Sequence, residues 1–357
     1  MVISWISGMN RELFHFDCVF QYIEDQDNLK KLENMGCEVY EMPLRYRQLR
    51  ERNNFFKKIM SQKEYSIVHV HTVCAIDYQA LRVAKKLGIP MRIAHSHGSS
   101  LGNSQFFLNS LHKISRLIIS RYATHCLACS TEAGINLYGK FVNRLKSKFS
   151  LVHDGIDTEH YRYDSEAREH TRKQLGISDD QILLGCIARY DPMKRQDFVV
   201  DVLRECCRVS PTKFHLLLIG DGGTKPKIEQ QVKEYGLEQN VTFIPNTFKV
   251  PSYLSAMDVM VFPSVREGLG LVLVEAQCSG LPCITTDQIP KEAKLTENFV
   301  MLPIGAAASL WKDTIISMAD EHSLQRHEAY QIIQQQGYDI SYSVNQLQML
   351  YFSATDM

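Results

Sequence analysis

A chain of 357 residues is too long for one ordinary hydrophobic core, so two domains are expected. Its 45% hydrophobic and 22% charged residues are typical of a globular protein, and no run of 18 apolar residues suggests a bilayer span. Forty basic and forty acidic residues cancel, and no nucleic-acid-binding motif accompanies the charge, which argues against a nucleic-acid partner.

The halves differ in sign. Residues 1–155 carry 21 Lys and Arg against 13 Asp and Glu, while 156–357 carry 19 against 27. The excess peaks at 101–148, where Lys113, Arg116, Arg121, Lys140, Arg144, Lys146 and Lys148 face one acid, Glu132. Such a field suits an anionic partner, either a lipid surface or a phosphorylated substrate, or is simply a solvated helix face. Ten scattered cysteines without a preceding signal peptide read as reduced thiols, and the single C-x-x-C at Cys126 and Cys129 has no second pair to build a metal site.

In chain order, FDCVF (16–20), YSIVHVH (65–71), MRIAHS (91–96), THCLAC (124–129) and FSLVH (149–153) read as short apolar strands separated by helical patterns. A second series follows in QILLGCIAR (181–189), KFHLLLIG (213–220), NVTFIP (240–245), VMVFPS (259–264) and LPCITTD (281–287). The alternation predicts two Rossmann-like parallel sheets, with a boundary near 154–164 and a cleft between them. The expected parts are an N-terminal domain over 1–155, a second over 156–338, and a C-terminal helix at 339–357. Val344, Leu347, Leu350 and Tyr351 form an apolar stripe on that helix, which is expected to return to the first domain.

Ligands of open parallel sheets bind beyond the carboxyl ends of the strands. No G-x-G-x-x-G follows a first strand, and IGDGG at 219–223 is only a weak phosphate signal. In FPSVREGLGLVLVEAQCSG (262–280) a strand runs through a glycine-rich turn into an apolar helix, an arrangement that attracts anions. Glu267 in that turn suits hydroxyl donors better than phosphate, and Glu275 is sheltered enough to need a partner. A sugar phosphate satisfies both, although a helix-start acid and the partner of a buried base explain them equally. In CIARYDPMKRQDF (186–198), Arg189 and Lys194 are placed to neutralise a diphosphate. His95 and His97 of MRIAHSHGSSLG reach the end of a strand, and His69 and His71 share a strand face, where buried structural roles are equally available. No H-E-x-x-H, D-x-D or tight carboxylate cluster is present, so metal-independent chemistry without a cofactor is expected.

Across almost its whole length the sequence resembles the family 4 retaining glycosyltransferases of the GT-B fold, especially the bacterial capsular and exopolysaccharide group. The resemblance rests on AHSHGSS (94–100), HDGID (153–157), CIARYDPMKRQDF, LLLIGDGG (216–223) and AMDVMVFPSVREGLGLVLVEAQCSGLPCITTD (256–287). It implies a nucleotide sugar, UDP-linked by preference, in the second domain and a glycan or polyprenyl-diphosphate-linked acceptor in the first. Glu275 is then assigned to the ribose hydroxyls and Glu267 to the transferred sugar. Arg189, Lys194 and the helix start at Gly268, Leu269, Gly270 and Leu271 are assigned to the leaving diphosphate, and His97 to the reacting sugar. It further implies a cytoplasmic enzyme, docked peripherally on the inner face of the plasma membrane. The alternatives are a nucleotide-sugar epimerase or hydrolase of the same fold, or a binding subunit with impaired catalysis.

Four departures accompany this resemblance. Asp154 replaces the usual Asn, Gly270 the usual Pro, and Pro245 and Thr247 the usual Gly and Arg. Relatives also open with an apolar strand and a glycine-rich loop, whereas residues 1–13 here read as the end of the helix that follows them, so two neighbouring strand edges are expected to lack a partner.

Overall fold

A computed structural model describes residues 2–23, 26–42, 48–98, 106–140, 142–145, 148–321 and 326–354. Twelve strands lie among the described residues: β1 Asp17–Phe20, β2 Glu38–Glu41, β3 Ile67–Thr72, β4 Met91–Ser96, β5 His125–Ala128, β6 Phe149–Leu151, β7 Ile182–Ile187, β8 Phe214–Ile219, β9 Val241–Ile244, β10 Val259–Phe262, β11 Cys283–Thr286 and β12 Phe299–Leu302. Every pairing among them is parallel. The chain divides into two units, Met1–Gly155 with Ile340–Met357, and Ile156–Asp339.

The second unit is one six-stranded sheet in the order β12-β11-β10-β7-β8-β9. Its strands are apolar at nearly every position because helices cover both faces. Alternation sorts the side chains: Leu184, Leu216, Leu218, Val259 and Val261 pack on one side, under helix Gln196–Val209. Leu183, Leu217, Met260 and Phe262 pack on the other, against helix Leu271–Cys278. That helix is apolar at every position but Glu275 and Gln277, as suits a helix largely enclosed by its own unit. Asp258, at the start of β10, accepts from Arg168, Arg172 and the Leu183 main chain, tying helix Ser165–Leu175 to the sheet.

In the first unit the strands form two sheets, β1-β2 and β3-β4-β5-β6. No described strand joins β1 to β3, which accords with the two unpartnered strand edges expected from the opening of the sequence. Residues Val2–Gly8 are helical, and Trp5 and Met9 pack with Met91, Ile93 and Leu127. Helix Ile340–Phe352 buries Val344, Leu347 and Tyr351 in that same cluster. Its Ser343 hydroxyl donates to the His153 carbonyl at 2.7 Å. Among the described residues no helix is long and apolar enough to cross a membrane.

Candidate active site

The cations of the second unit are carried by a turn built from main-chain constraints. After β7 the chain makes a 3-10 turn, Pro192–Lys194, capped by Asp191, whose carboxylate accepts from the Met193 N–H at 2.9 Å. Arg195 follows with φ 52, the only described non-glycine residue at positive φ. It is held by a bond from Nη1 to the Ile304 carbonyl at 3.0 Å and by stacking over Phe198. The GDGG loop presses on the turn from the other side. Tyr190 N–H donates to Asp221 O at 2.9 Å, and a Cβ at Gly222, φ 149, would lie 2.4 Å from the Tyr190 carbonyl oxygen. Its glycines therefore shape the Arg189 to Lys194 turn.

Lys194 and Glu267 form an ion pair, with the ammonium also over the Phe262 ring. Ser264 Oγ donates to the same carboxylate at 2.6 Å and the Val265 N–H donates to Met193 O at 2.9 Å, so the two loops are stitched together. Arg189 is 75% exposed and pairs with Asp191 at 3.2 Å. Arg189, Lys194, Glu267, Gly270 and Leu271 line one cavity of about 420 Å³. Gly270 has φ 85 and immediately precedes helix Leu271–Cys278. A proline, fixed near −65°, could not adopt that conformation, so a residue free to take positive φ is needed at this helix start. Gly268 and buried Leu269 complete the turn between Glu267 and Gly270.

Glu275 lies one turn into the helix. Burial pushes its pKa up to about 7, against the hydrogen bond from Tyr161, which lowers it. Tyr161 ends the short helix Thr158–Tyr161 and was not identified from the sequence. Nothing in local spacing links it to a residue 114 positions away.

In the first unit, His71 and His95 are register partners on β3 and β4, and His69 and His97 follow the same faces. His69 Nε2 lies 3.2 Å from His95 Nδ1, and His71 Nδ1 lies 2.9 Å from His97 Nε2. His97 Nδ1 is 2.9 Å from Asp154 Oδ1, and Asp154 is only 5% exposed. The carboxylate that replaces the usual Asn is thus buried and paired. Trp5 stacks on His95 with ring centroids 5.4 Å apart. Burial pushes the pKa values of His69, His71 and His95 down, and neighbouring imidazoles add to the shift. Ser99 and Ser100 lie outside the described residues. The H-x-H pairs 69/71 and 95/97 were the available signal for this cluster; only the parallel register reveals that they face one another.

Comparison with known proteins accords with this architecture. The model for "Glycosyl transferases group 1" matches residues 167–329 and that for "Glycosyltransferase Family 4" matches 21–160. EpsF of Bacillus subtilis (strain 168), named as a glycosyltransferase, is 30% identical over 305 residues, covering 85% of this chain and 79% of EpsF. The chain belongs to the glycosyltransferases, with the GT-B fold of two Rossmann-like units. Among solved structures, HepE of Anabaena in complex with UDP superposes with a TM-score of 0.79 at 19% identity, covering 99% of this chain and 95% of HepE. The lipopolysaccharide outer core galactosyltransferase WaaB gives 0.68 at 17%, covering 99% and 94%.

Proposed function

We propose that the protein is a retaining transferase that moves a sugar from a UDP-sugar to a glycan or polyprenyl-diphosphate-linked acceptor in the synthesis of a surface polysaccharide. The observation that carries this reading is the convergence of Arg189, Lys194, Glu267 and the start of helix Leu271–Cys278 on one cavity. Support for the donor comes from HepE, which was solved with UDP and with UDP-glucose. Support for the pathway comes from WaaB and from the O-antigen biosynthesis glycosyltransferase WclY of Escherichia coli.

On this reading the diphosphate takes Lys194 away from Glu267. The ammonium and Arg189 then meet the charge that grows on the leaving phosphate, assisted by the N–H groups at the helix start. Glu267 is freed to accept from hydroxyls of the transferred sugar, and Glu275 from those of the ribose. These contacts strengthen as the glycosidic bond breaks, which lowers the barrier rather than merely tightening binding. His97 is assigned to the reacting sugar, oriented by Asp154 through its Nδ1. The acceptor is assigned to the first unit.

Membrane docking belongs to the same proposal. On helix Phe106–Tyr122, Ile114 and Leu117 are 63% and 71% exposed, beside exposed Lys113 and Arg121. That combination fits the inner face of an anionic membrane, where a lipid-linked acceptor would lie. The Arg144 side chain and Lys146 of the basic region lie outside the described residues.

The test is a panel of UDP- and GDP-sugars with lipid-linked acceptors, with the product followed by proton NMR. Transfer from a UDP-sugar with the anomeric configuration kept is expected. Inverted product, or turnover equal with and without acceptor, would overturn the reading.

A further inference from the structure

His97 is assigned to the reacting sugar, yet both of its ring nitrogens already have partners within the first unit. Nδ1 lies 2.9 Å from Asp154 Oδ1, and Nε2 lies 2.9 Å from His71 Nδ1. The other two imidazoles form a separate pair. His69 Nε2 lies 3.2 Å from His95 Nδ1, His69 Nδ1 lies 2.6 Å from the Tyr351 hydroxyl, and the Val152 main chain supplies His95 with a further hydrogen bond. His71 is thus the one imidazole that touches His97 by a hydrogen bond, and sugar transfer has so far given it no part.

The chemistry of the three groups sets the direction of both bonds. A carboxylate only accepts, so the proton between Asp154 and His97 sits on Nδ1. Neutral His97 then has a bare Nε2, and the second proton sits on His71 Nδ1. Burial favours neutral His71, whose pKa is pushed well down. The strands hold the rings in this order. His71 and His95 are register partners, and the His97 N–H donates to the Thr72 carbonyl at 3.3 Å, which carries the β3–β4 pairing one residue past β4. The His71 ring stacks on His69 with centroids 4.0 Å apart and has Trp5 at 5.4 Å, so it has little freedom to turn.

We propose that His71 is a positioning residue for sugar transfer, which holds the His97 ring with Nε2 as a bare acceptor and yields that acceptor to a hydroxyl of the substrate. This role rests on the reading that His97 meets the sugar. A hydroxyl can donate to Nε2 while accepting from the His71 N–H, so it enters the hydrogen bond without leaving either ring unpaired. An ionised phosphate or carboxylate oxygen can only accept, and would face the bare nitrogen with nothing to give it. The His97 side chain keeps 13% exposure, which leaves an approach from solvent. His71 then stands to His97 as Lys194 stands to Glu267, an internal partner that occupies the group until substrate replaces it.

The test combines spectroscopy of the free protein with kinetics. Full-length protein labelled with nitrogen-15 at histidine is studied by long-range proton–nitrogen correlation near neutral pH, the two rings being assigned by the signals lost in His71→Asn and His97→Ala. Both rings are expected in the Nδ1–H form. In transfer assays His71→Leu, which fills the space without a donor, should lower kcat about 10-fold or more while KM changes less than about threefold. His71→Asn, whose amide N–H stands where Nδ1 does, should bring kcat back to within about threefold of wild type. A purely structural role would favour the better-packed leucine instead. Nε2–H on either ring, a doubly protonated His97, wild-type turnover in His71→Leu, or His71→Asn no better than His71→Leu would overturn the proposal. Wild-type turnover in His97→Ala would overturn the transfer reading of His97 and this role with it, whereas an inactive His97→Ala with the wrong tautomers overturns this role alone. Circular dichroism identifies a variant that fails to fold; if His71→Leu does, the tautomers and His71→Asn decide.

Discussion

Lys194 and Glu267, 73 residues apart, meet as an ion pair at the rim of the second unit's cavity, each also held by its own loop. Removing the cation removes a preorganised charge at the proposed leaving group. Lys194→Ala should lower kcat by roughly 10²-fold or more, with the UDP dissociation constant rising less. Steady-state kinetics with the best UDP-sugar checks this, and near wild-type turnover would remove Lys194 from the reaction. Glu267→Gln should retain UDP binding and lose turnover, since its assigned partner is the sugar and not the diphosphate.

Glu275 supplies a pH signature. Its pKa in the fold is about 7, raised by burial from the 4.5 of a free glutamate. Between those values the folded chain holds a proton that the unfolded chain has released. This group's contribution to stability is therefore greatest at acid pH and falls as pH rises through about 7, by about 3 kcal/mol in all. Glu275→Gln should match wild type near pH 4.5 and exceed it at pH 8, read by urea denaturation at both values. Tyr161→Phe removes the hydrogen bond that favours the anion and should raise this pKa further. If the ribose hydroxyls donate to the carboxylate, UDP affinity of the wild type rises as pH passes 7.

Much of the second unit is legible in the sequence. Parallel strands enclosed on both faces are written as unbroken apolar runs, and β7, β8, β10 and β11 stand out for that reason. β2, with the sequence EVYE and both ends exposed, carries no such run and went unread, as did the four-residue β12. Arg189, Lys194, Glu267 and Gly270 could be found because each sits in a short stretch whose strand, turn and helix are local. Ser264, Tyr161 and the His97 to Asp154 contact could not, since packing brings them together and spacing does not record it.

The glycine pair in the GDGG loop separates a shape requirement from mere flexibility. Gly222→Ala places a methyl against the Tyr190 carbonyl at a φ of 149, and should cost about 2–3 kcal/mol and raise KM for the donor. Gly223→Ala, with open space around its Cβ, should change stability by less than about 0.5 kcal/mol. Thermal melts of the two variants check the difference directly.

Docking of helix Phe106–Tyr122 on lipid is tested with vesicles that contain or lack phosphatidylglycerol. At about 1 kcal/mol per charge near the surface, Lys113→Gln with Arg121→Gln should weaken binding to anionic vesicles by roughly 30-fold. Leu117→Ser should weaken it without altering its salt dependence. Co-sedimentation that ignores anionic lipid would count against this face.

The left-handed backbone at Arg195 makes the neighbouring ammonium a hostage to a distant loop. Such a conformation holds about 1–3 kcal/mol of tension and persists only where surroundings over-determine it. The restraint here is the grip of Arg195 on the Ile304 carbonyl, just past the sheet's outermost strand β12. Loosening that far edge would let the turn relax and Lys194 drift from its post, with no residue near the cavity changed.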